Sequence, residues 1–177
     1  MKLWPVIICP VWLAGVAGVA AVSVPALDQR EQSFLIHLNA SVAEVTPLFG
    51  PVREAEWAPG WKPQFIHPPT GAQREGAVFT TDTGHGTKCL WLLTAYQPND
   101  GRVEYVVVVP GYIAKQIGIR VVSDGANRSR ATISYRCSAL GPKGNQEVAK
   151  LGTQWAEHQQ THWQTAVNAL LAKKGAR

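Results

Sequence analysis

The run from Gly144 to Lys173 reads as one long amphipathic helix, and a helix with an apolar face needs something to cover. At 100° per residue from Val148, the residues Leu151, Gly152, Trp155, Gln159, His162, Trp163, Ala166 and Leu170 share one broad face. Lys150, Glu157, Lys173 and Lys174 fall away from its centre. Glu147 and Glu157 near the start and the two lysines at the end suit the helix dipole, Gly175 is a stop, and Gly144-Asn145 offers a cap. The face is not a leucine stripe. Its glutamine and histidine stand where a packed core would carry no polar group, and buried polar groups must be hydrogen-bonded. Two arrangements meet that need. Gln159 and His162 face a partly polar cavity, or they bond to neighbouring carbonyls or lie at a rim.

What the helix covers is written upstream as strands and turns. Gln32 to Asn39 alternates well enough for a first strand. Ser41 and Glu44 then form a capping box for a short helix that Gly50-Pro51 ends, and Pro51 can open a second short turn from Val52 to Trp57. From Ala77 to Ser138 come strands Ala77–Asp82, Thr87–Tyr96, Arg102–Val109, Tyr112–Val122 and Arg128–Ser138, separated by turns such as Thr83-Gly84-His85-Gly86 and Pro98-Asn99-Asp100-Gly101. Ala131, Ile133, Tyr135 and Cys137 alternate with Arg130, Thr132, Ser134 and Arg136, the pattern of a strand with one wet face. Successive hairpins make the sheet a meander. The fold class is therefore α+β: a curved antiparallel sheet of six to seven strands wrapped around a long C-terminal helix, with one or two short helices after the first strand.

Residues 1–26 read as a separate unit, a signal peptide or N-terminal membrane anchor, and 31–173 as the domain. Lys2 gives a short basic start, Leu3 to Leu27 carry no charge, and Val24-Pro25-Ala26 offers a cleavage site. That pattern predicts membrane association through residues 3–26 and an exported domain, periplasmic or anchored in the inner membrane. The net charge of +5 is spread along the chain with no basic cluster, which excludes nucleic acid as a partner. Cys89 and Cys137 fall on strands that the meander keeps apart and read as free thiols. Trp57 and Trp61 flank a Pro59-Gly60 turn, and two tryptophans in a loop must either plug the end of the core or wall a cavity mouth.

This order of elements resembles the helix-grip fold of the START-like and Bet v 1-like superfamily, and most nearly its bacterial polyketide cyclase/dehydrase and lipid-transport branch. The stretches that carry the resemblance are Pro47-Leu-Phe-Gly-Pro-Val-Arg-Glu54, Trp57-Ala-Pro-Gly-Trp-Lys-Pro63, Gly76-Ala-Val-Phe-Thr80 and Gln154-Trp155 to Trp163, within residues 31–173. The resemblance implies a cavity between sheet and helix for a hydrophobic or amphipathic small molecule, lipid-like or aromatic. It carries across no catalytic set. The positions expected to line the cavity are Trp57, Trp61, Phe79, Trp91, Tyr105, Tyr135, Trp155, Gln159 and His162.

Chemistry is sparse. His158 and His162 have the four-residue spacing of a helical metal pair, but Gln159 stands where a zincin has its glutamate and no third ligand converges, so no metal is expected. Nothing in the sequence asks for a cofactor. The acid–base candidates are His162, Tyr135, Tyr105 and the pair Glu54 and Glu56. Three functions stay open at this point: binding or carriage of the hydrophobic molecule, a cyclase- or dehydratase-like enzyme acting on a bound aromatic or polyketide-like substrate, or a structural module whose cavity is filled by its own side chains.

Overall fold

The structure, a computed structural model, describes residues 26–82 and 87–175. Seven strands form one antiparallel sheet: β1 (Gln29–Leu38), β2 (Gln64–His67), β3 (Val78–Asp82), β4 (Lys88–Gln97), β5 (Arg102–Val109), β6 (Ile113–Ser123) and β7 (Ser129–Ala139). Their order is β1-β7-β6-β5-β4-β3-β2, so the meander runs from β2 to β7 and β1 closes it beside β7. A short helix α1 (Val42–Val45) and two 3-10 turns, Thr46–Phe49 and Arg53–Glu56, follow β1. Helices α2 (Pro142–Ala149) and α3 (Thr153–Gly175) end the chain.

Alternation is what turns these strands into a wall. On β5 every second residue, Val103, Tyr105, Val107 and Val109, is buried, and β7 buries Ala131, Ile133 and Cys137 in the same way. These rows meet Phe34, Ile36 and Leu38 of β1 across the registers Phe34↔Ile133 and Ile36↔Ala131. Against that face lie Val45, Leu48 and Phe49 of the short segment and Ala156 and Val167 of α3. The capping box is present: the Ser41 N–H and hydroxyl both donate to the Glu44 carboxylate, at 3.0 and 2.7 Å.

The expected single helix is two. The chain breaks at Lys150–Gly152, where Lys150 N–H and Leu151 N–H donate to the carbonyls three residues back. The break lets Val148 and Leu151 fill a separate small core with Val109, Ile113, Cys137 and Ala139. In α2, Gly144 lies so close to β6 that a Cβ there would stand 2.0 Å from the Tyr112 carbonyl oxygen, and only glycine allows that approach.

Both edges of the sheet have distinct endings. At the end of β1, the N–H groups of His37 and Asn39 donate to Gln164 Oε1 (2.8 Å) and Asn168 Oδ1 (3.0 Å), and Asn168 Nδ2 donates to the His37 carbonyl (2.9 Å). Side chains of α3 thus stand in for a missing strand. On the other edge β2 is four residues long and runs into Pro68-Pro69.

One expectation is corrected here. No helix among the described residues is long and apolar enough to cross a membrane, so membrane association and an exported, periplasmic or membrane-anchored place are not carried forward. The leader on which they rested lies, through residue 25, outside the described residues, as does the turn at 83–86.

Candidate functional site

The interior between sheet and α3 is walled by aromatic rings in two groups. On the β1–β7 side, Phe34, Tyr135, Trp155 and Trp163 pack edge to face: Tyr135 and Trp155 have centroids 5.0 Å apart at 83°, and Phe34 and Trp163 5.7 Å apart at 80°. Trp163 continues this group to Trp57 at 5.0 Å and Phe49 at 6.0 Å. On the β3–β5 side, Trp61, Phe79, Trp91 and Tyr105 form the second group, with Trp61–Trp91 at 5.1 Å and Trp91–Tyr105 at 5.7 Å.

The segment between the two groups is held in place by polar bonds. The indole N–H of Trp57 donates to the Leu48 carbonyl, that of Trp61 to the Pro51 carbonyl, and the Tyr105 hydroxyl to the Phe49 carbonyl, each at 2.7 Å. Gln73, from the loop between β2 and β3, is the pin. Its carbonyl accepts from the N–H groups of Val52 (2.9 Å) and Arg53 (3.2 Å) at the start of the second 3-10 turn, and its amide donates to Pro47 O (3.0 Å) and Tyr96 Oη (2.5 Å). The turn fixed in this way carries Glu54, Glu56 and, just beyond, Trp57.

Glu54 and Glu56 go opposite ways. Glu56 faces outward and pairs with Arg53 at 2.7 Å and Lys174 at 2.6 Å, and mainly the Arg53 hydrogen bond holds its carboxyl down to about 2. Glu54 has no hydrogen-bond or ion-pair partner among the described residues. Burial alone pushes its carboxyl up to about 8. Its side chain is half-buried. Tyr135 is in the same condition: half-buried, its hydroxyl without a described partner, its ionisation disfavoured first by burial and then by the Glu54 charge. Tyr105 is raised by the same two causes.

The structure brings most of the expected lining residues together and sets one apart. Trp57, Phe79 and Tyr105 are buried, while Trp61, Trp91, Tyr135, Trp155 and Gln159 are half-buried. His162 is exposed and stacks on His158 with ring centroids 6.3 Å apart and planes 4° from parallel, on the outer side of α3. The Trp91 indole N–H donates to Thr81 Oγ1 at 2.9 Å.

Two half-buried polar groups were not singled out as lining residues. Glu54 stood only among acid–base candidates, because its direction is set by Gln73, nineteen residues away, and nothing local shows it. Lys115 sits on the inward side of β6, between Ile113 and Ile117, and is half-buried. Its charge opposes the rise that burial imposes on the Cys89 and Cys137 thiols. Strand parity could have found it: Lys115 shares the odd positions of Ile117, Ile119 and Val121. A groove of about 590 Å³ crosses the sheet over Gly118, lined among others by Glu31, Glu104, Tyr105, Gln116, Tyr135 and Arg136. Its Glu31–Arg136 and Arg102–Glu104 charges are already paired.

No family model matches the chain, and no curated protein matches it. Solved structures do. Norcoclaurine synthase from Thalictrum flavum, in complex with dopamine and hydroxybenzaldehyde, superposes with a TM-score of 0.61 at 13% identity, over 83% of this chain and 88% of that one. Ara h 8.0201 gives 0.58 at 11% identity, over 83% and 99%. DynU16, from the dynemicin biosynthetic locus, gives 0.52 at 20% identity over 80% of this chain, which spans 47% of that one. At such identities a likeness speaks for architecture: this chain has the Bet v 1-like helix-grip fold, a curved seven-stranded antiparallel sheet around a long C-terminal helix.

Proposed function

We propose that this chain takes a small hydrophobic or aromatic molecule into the space between sheet and α3 and acts on it as an acid–base enzyme of the cyclase or dehydratase type. The observation that carries the proposal is Glu54: a half-buried carboxyl with no partner among the described residues, on the turn that leads into Trp57, whose charge acts on the Tyr135 and Tyr105 hydroxyls. An isolated buried carboxyl is costly to keep for stability alone, and a value near 8 leaves it able both to give and to accept a proton near neutral pH. Protonated, Glu54 donates to a carbonyl or a departing hydroxyl. Ionised, it takes a proton from carbon or oxygen. Tyr135 supplies a second hydrogen bond to the same centre, whereas Tyr105 is committed to the Phe49 carbonyl. Trp61, Phe79 and Trp91 offer apolar area for the body of the molecule, at about 25 cal/mol per Å² before ordering costs.

The fold shared with norcoclaurine synthase supports an enzymatic use of this interior, and the narrower likeness to the polyketide cyclase/dehydrase and lipid-transport branch rests on the sequence stretches alone. The second reading, a carrier, uses the same walls without the proton. The Glu54→Gln variant separates the two. With a substrate found by screening aromatic ketones and polyketide-like compounds, turnover falls on the order of 100-fold or more in the enzyme. A carrier keeps ligand affinity within a few-fold and shows no turnover in either form.

A further inference from the structure

The two histidines left outside the interior have a chemistry of their own. His158 and His162 stand one turn apart on α3, both exposed, with ring centroids 6.3 Å apart and planes 4° from parallel. Neither imidazole has a hydrogen-bond or ion-pair partner among the described residues, in contrast to His37, whose Nδ1 lies 3.4 Å from the Asp124 carboxylate. The pair borders a hollow of about 380 Å³ together with Thr161, Thr165 and Ala166. The Thr161 hydroxyl donates to the Glu157 carbonyl at 3.0 Å, which leaves the imidazole nitrogens as the strongest ligating atoms at the hollow. No lysine or arginine shares this strip of the helix to repel a cation: the residues a turn before and a turn or two after the pair, Gln154, Thr165, Ala166 and Ala169, are uncharged. The backbone beneath is held from another side, where Gln164 and Asn168 bond β1. The four-residue spacing of the two rings is therefore kept by tertiary contacts as well as by the helix itself.

We propose that His158 and His162 form an open binding site for a divalent transition-metal ion, copper(II) before nickel(II) or zinc(II), on the exposed side of α3 and independent of the interior. The expectation of no metal rested on a missing third protein ligand, which a closed structural site or a zincin-like centre needs. A labile site needs less: two imidazoles on one helical turn chelate a single ion, and water fills the remaining positions. The rings lie parallel in this structure. Closing on one ion takes a rotation of each about its side-chain bonds, which their exposure allows, until both nitrogens stand about 2.0–2.1 Å from the metal. Imidazole nitrogen selects copper, nickel and zinc over magnesium and calcium, which prefer carboxylate and carbonyl oxygen. Because only the helical chain presents the two rings together, the bound ion staples that turn of α3 and favours the folded state.

The test titrates copper(II), nickel(II) and magnesium(II) by calorimetry into the chain prepared without a histidine tag and stripped with chelator. The expected result is about one copper ion per chain, weaker binding of nickel and none of magnesium. Affinity for copper should fall about tenfold or more in His158→Gln and in His162→Gln, because chelation is lost, and stay within about twofold in His67→Gln, which removes a histidine of β2. A relocated variant, His162→Gln combined with Gln160→His, keeps the number of histidines but turns the second ring to another side of the helix, and should bind as weakly as the single variants. Electron paramagnetic resonance of the copper form should show two nitrogen donors in the parent and one in either single variant. Saturating nickel should raise the thermal midpoint of the parent by a few degrees and leave that of the relocated variant unchanged. Copper affinity that survives in His158→Gln, in His162→Gln or in the relocated variant overturns the site, as does a single nitrogen donor in the parent. None of these outcomes bears on Glu54, so the two readings stand or fall separately.

Discussion

Glu54 has a thermodynamic signature that is independent of any ligand. Its ordinary carboxyl value is 4.5 and its folded value is about 8. Below pH 4.5 both folded and unfolded chains hold the proton and the residue costs nothing through ionisation. Between these values the unfolded chain releases the proton and the folded chain keeps it, so stability falls as pH rises and levels off above the folded value. Glu54→Gln keeps the shape and removes the proton equilibrium. The variant should match the parent in denaturant midpoint at pH 4 and exceed it at pH 9 by about 1–4 kcal/mol. A parent whose stability does not fall across this range would show that Glu54 ionises freely. Glu44 and Glu56, whose carboxyls are lowered by their hydrogen bonds, act in the opposite sense at acid pH, and the variant leaves their contribution in place. At this scale the sequence was readable where a two-residue period decides direction: Tyr105 lies in the core and Tyr135 packs against it, as their strands require. It was not readable for Glu54, whose turn is held by N–H groups that donate to Gln73, nor for His162. Its place at one margin of the apolar face on a helical wheel says nothing about how far α3 is rotated against β1.

That rotation is fixed by Gln164 and Asn168, the polar residues that bond β1. They turn Ala156, Trp163 and Val167 toward the sheet and leave His158 and His162 outside. A search for apolar periodicity misses such residues, because they work as acceptors and donors for strand backbone. Asn168→Ala removes two hydrogen bonds at a partly wet edge, and should lower stability by about 1–2 kcal/mol in urea titration with an unchanged slope. It should also speed exchange of the Asn39 amide. A loss below a few tenths of a kcal/mol would mean that water replaces the asparagine without cost. The helical run at the C-terminus was legible as amphipathic, but its division was not. Residues 144–173 keep helical periodicity across Lys150–Gly152, and the break follows from the separate core that Val148 and Leu151 enter. That core belongs to the β5–β7 end of the sheet, which no local pattern announces.

For the whole molecule, the legible part was the architecture: hairpins in sequence make a meander, and a helix with one apolar face must lie against it. What fills the interior is a question about the intact chain. Native mass spectrometry of gently purified protein should show a bound small organic molecule that leaves on denaturation and can be identified by extraction. A bare mass, with no uptake from a panel of hydrophobic dyes, would favour an interior closed by its own rings. The sealed edge of the sheet has a further effect, on behaviour in concentrated solution. Strands recruit strands through unpaired backbone groups, the route to ordered aggregates. Here α3 occupies such groups on β1, and β2 offers four residues before two prolines that have no N–H to give. Loosening α3 would therefore do more than open the interior: it would free the backbone groups of His37 and Asn39 at the end of β1 and give a second chain an edge to pair with.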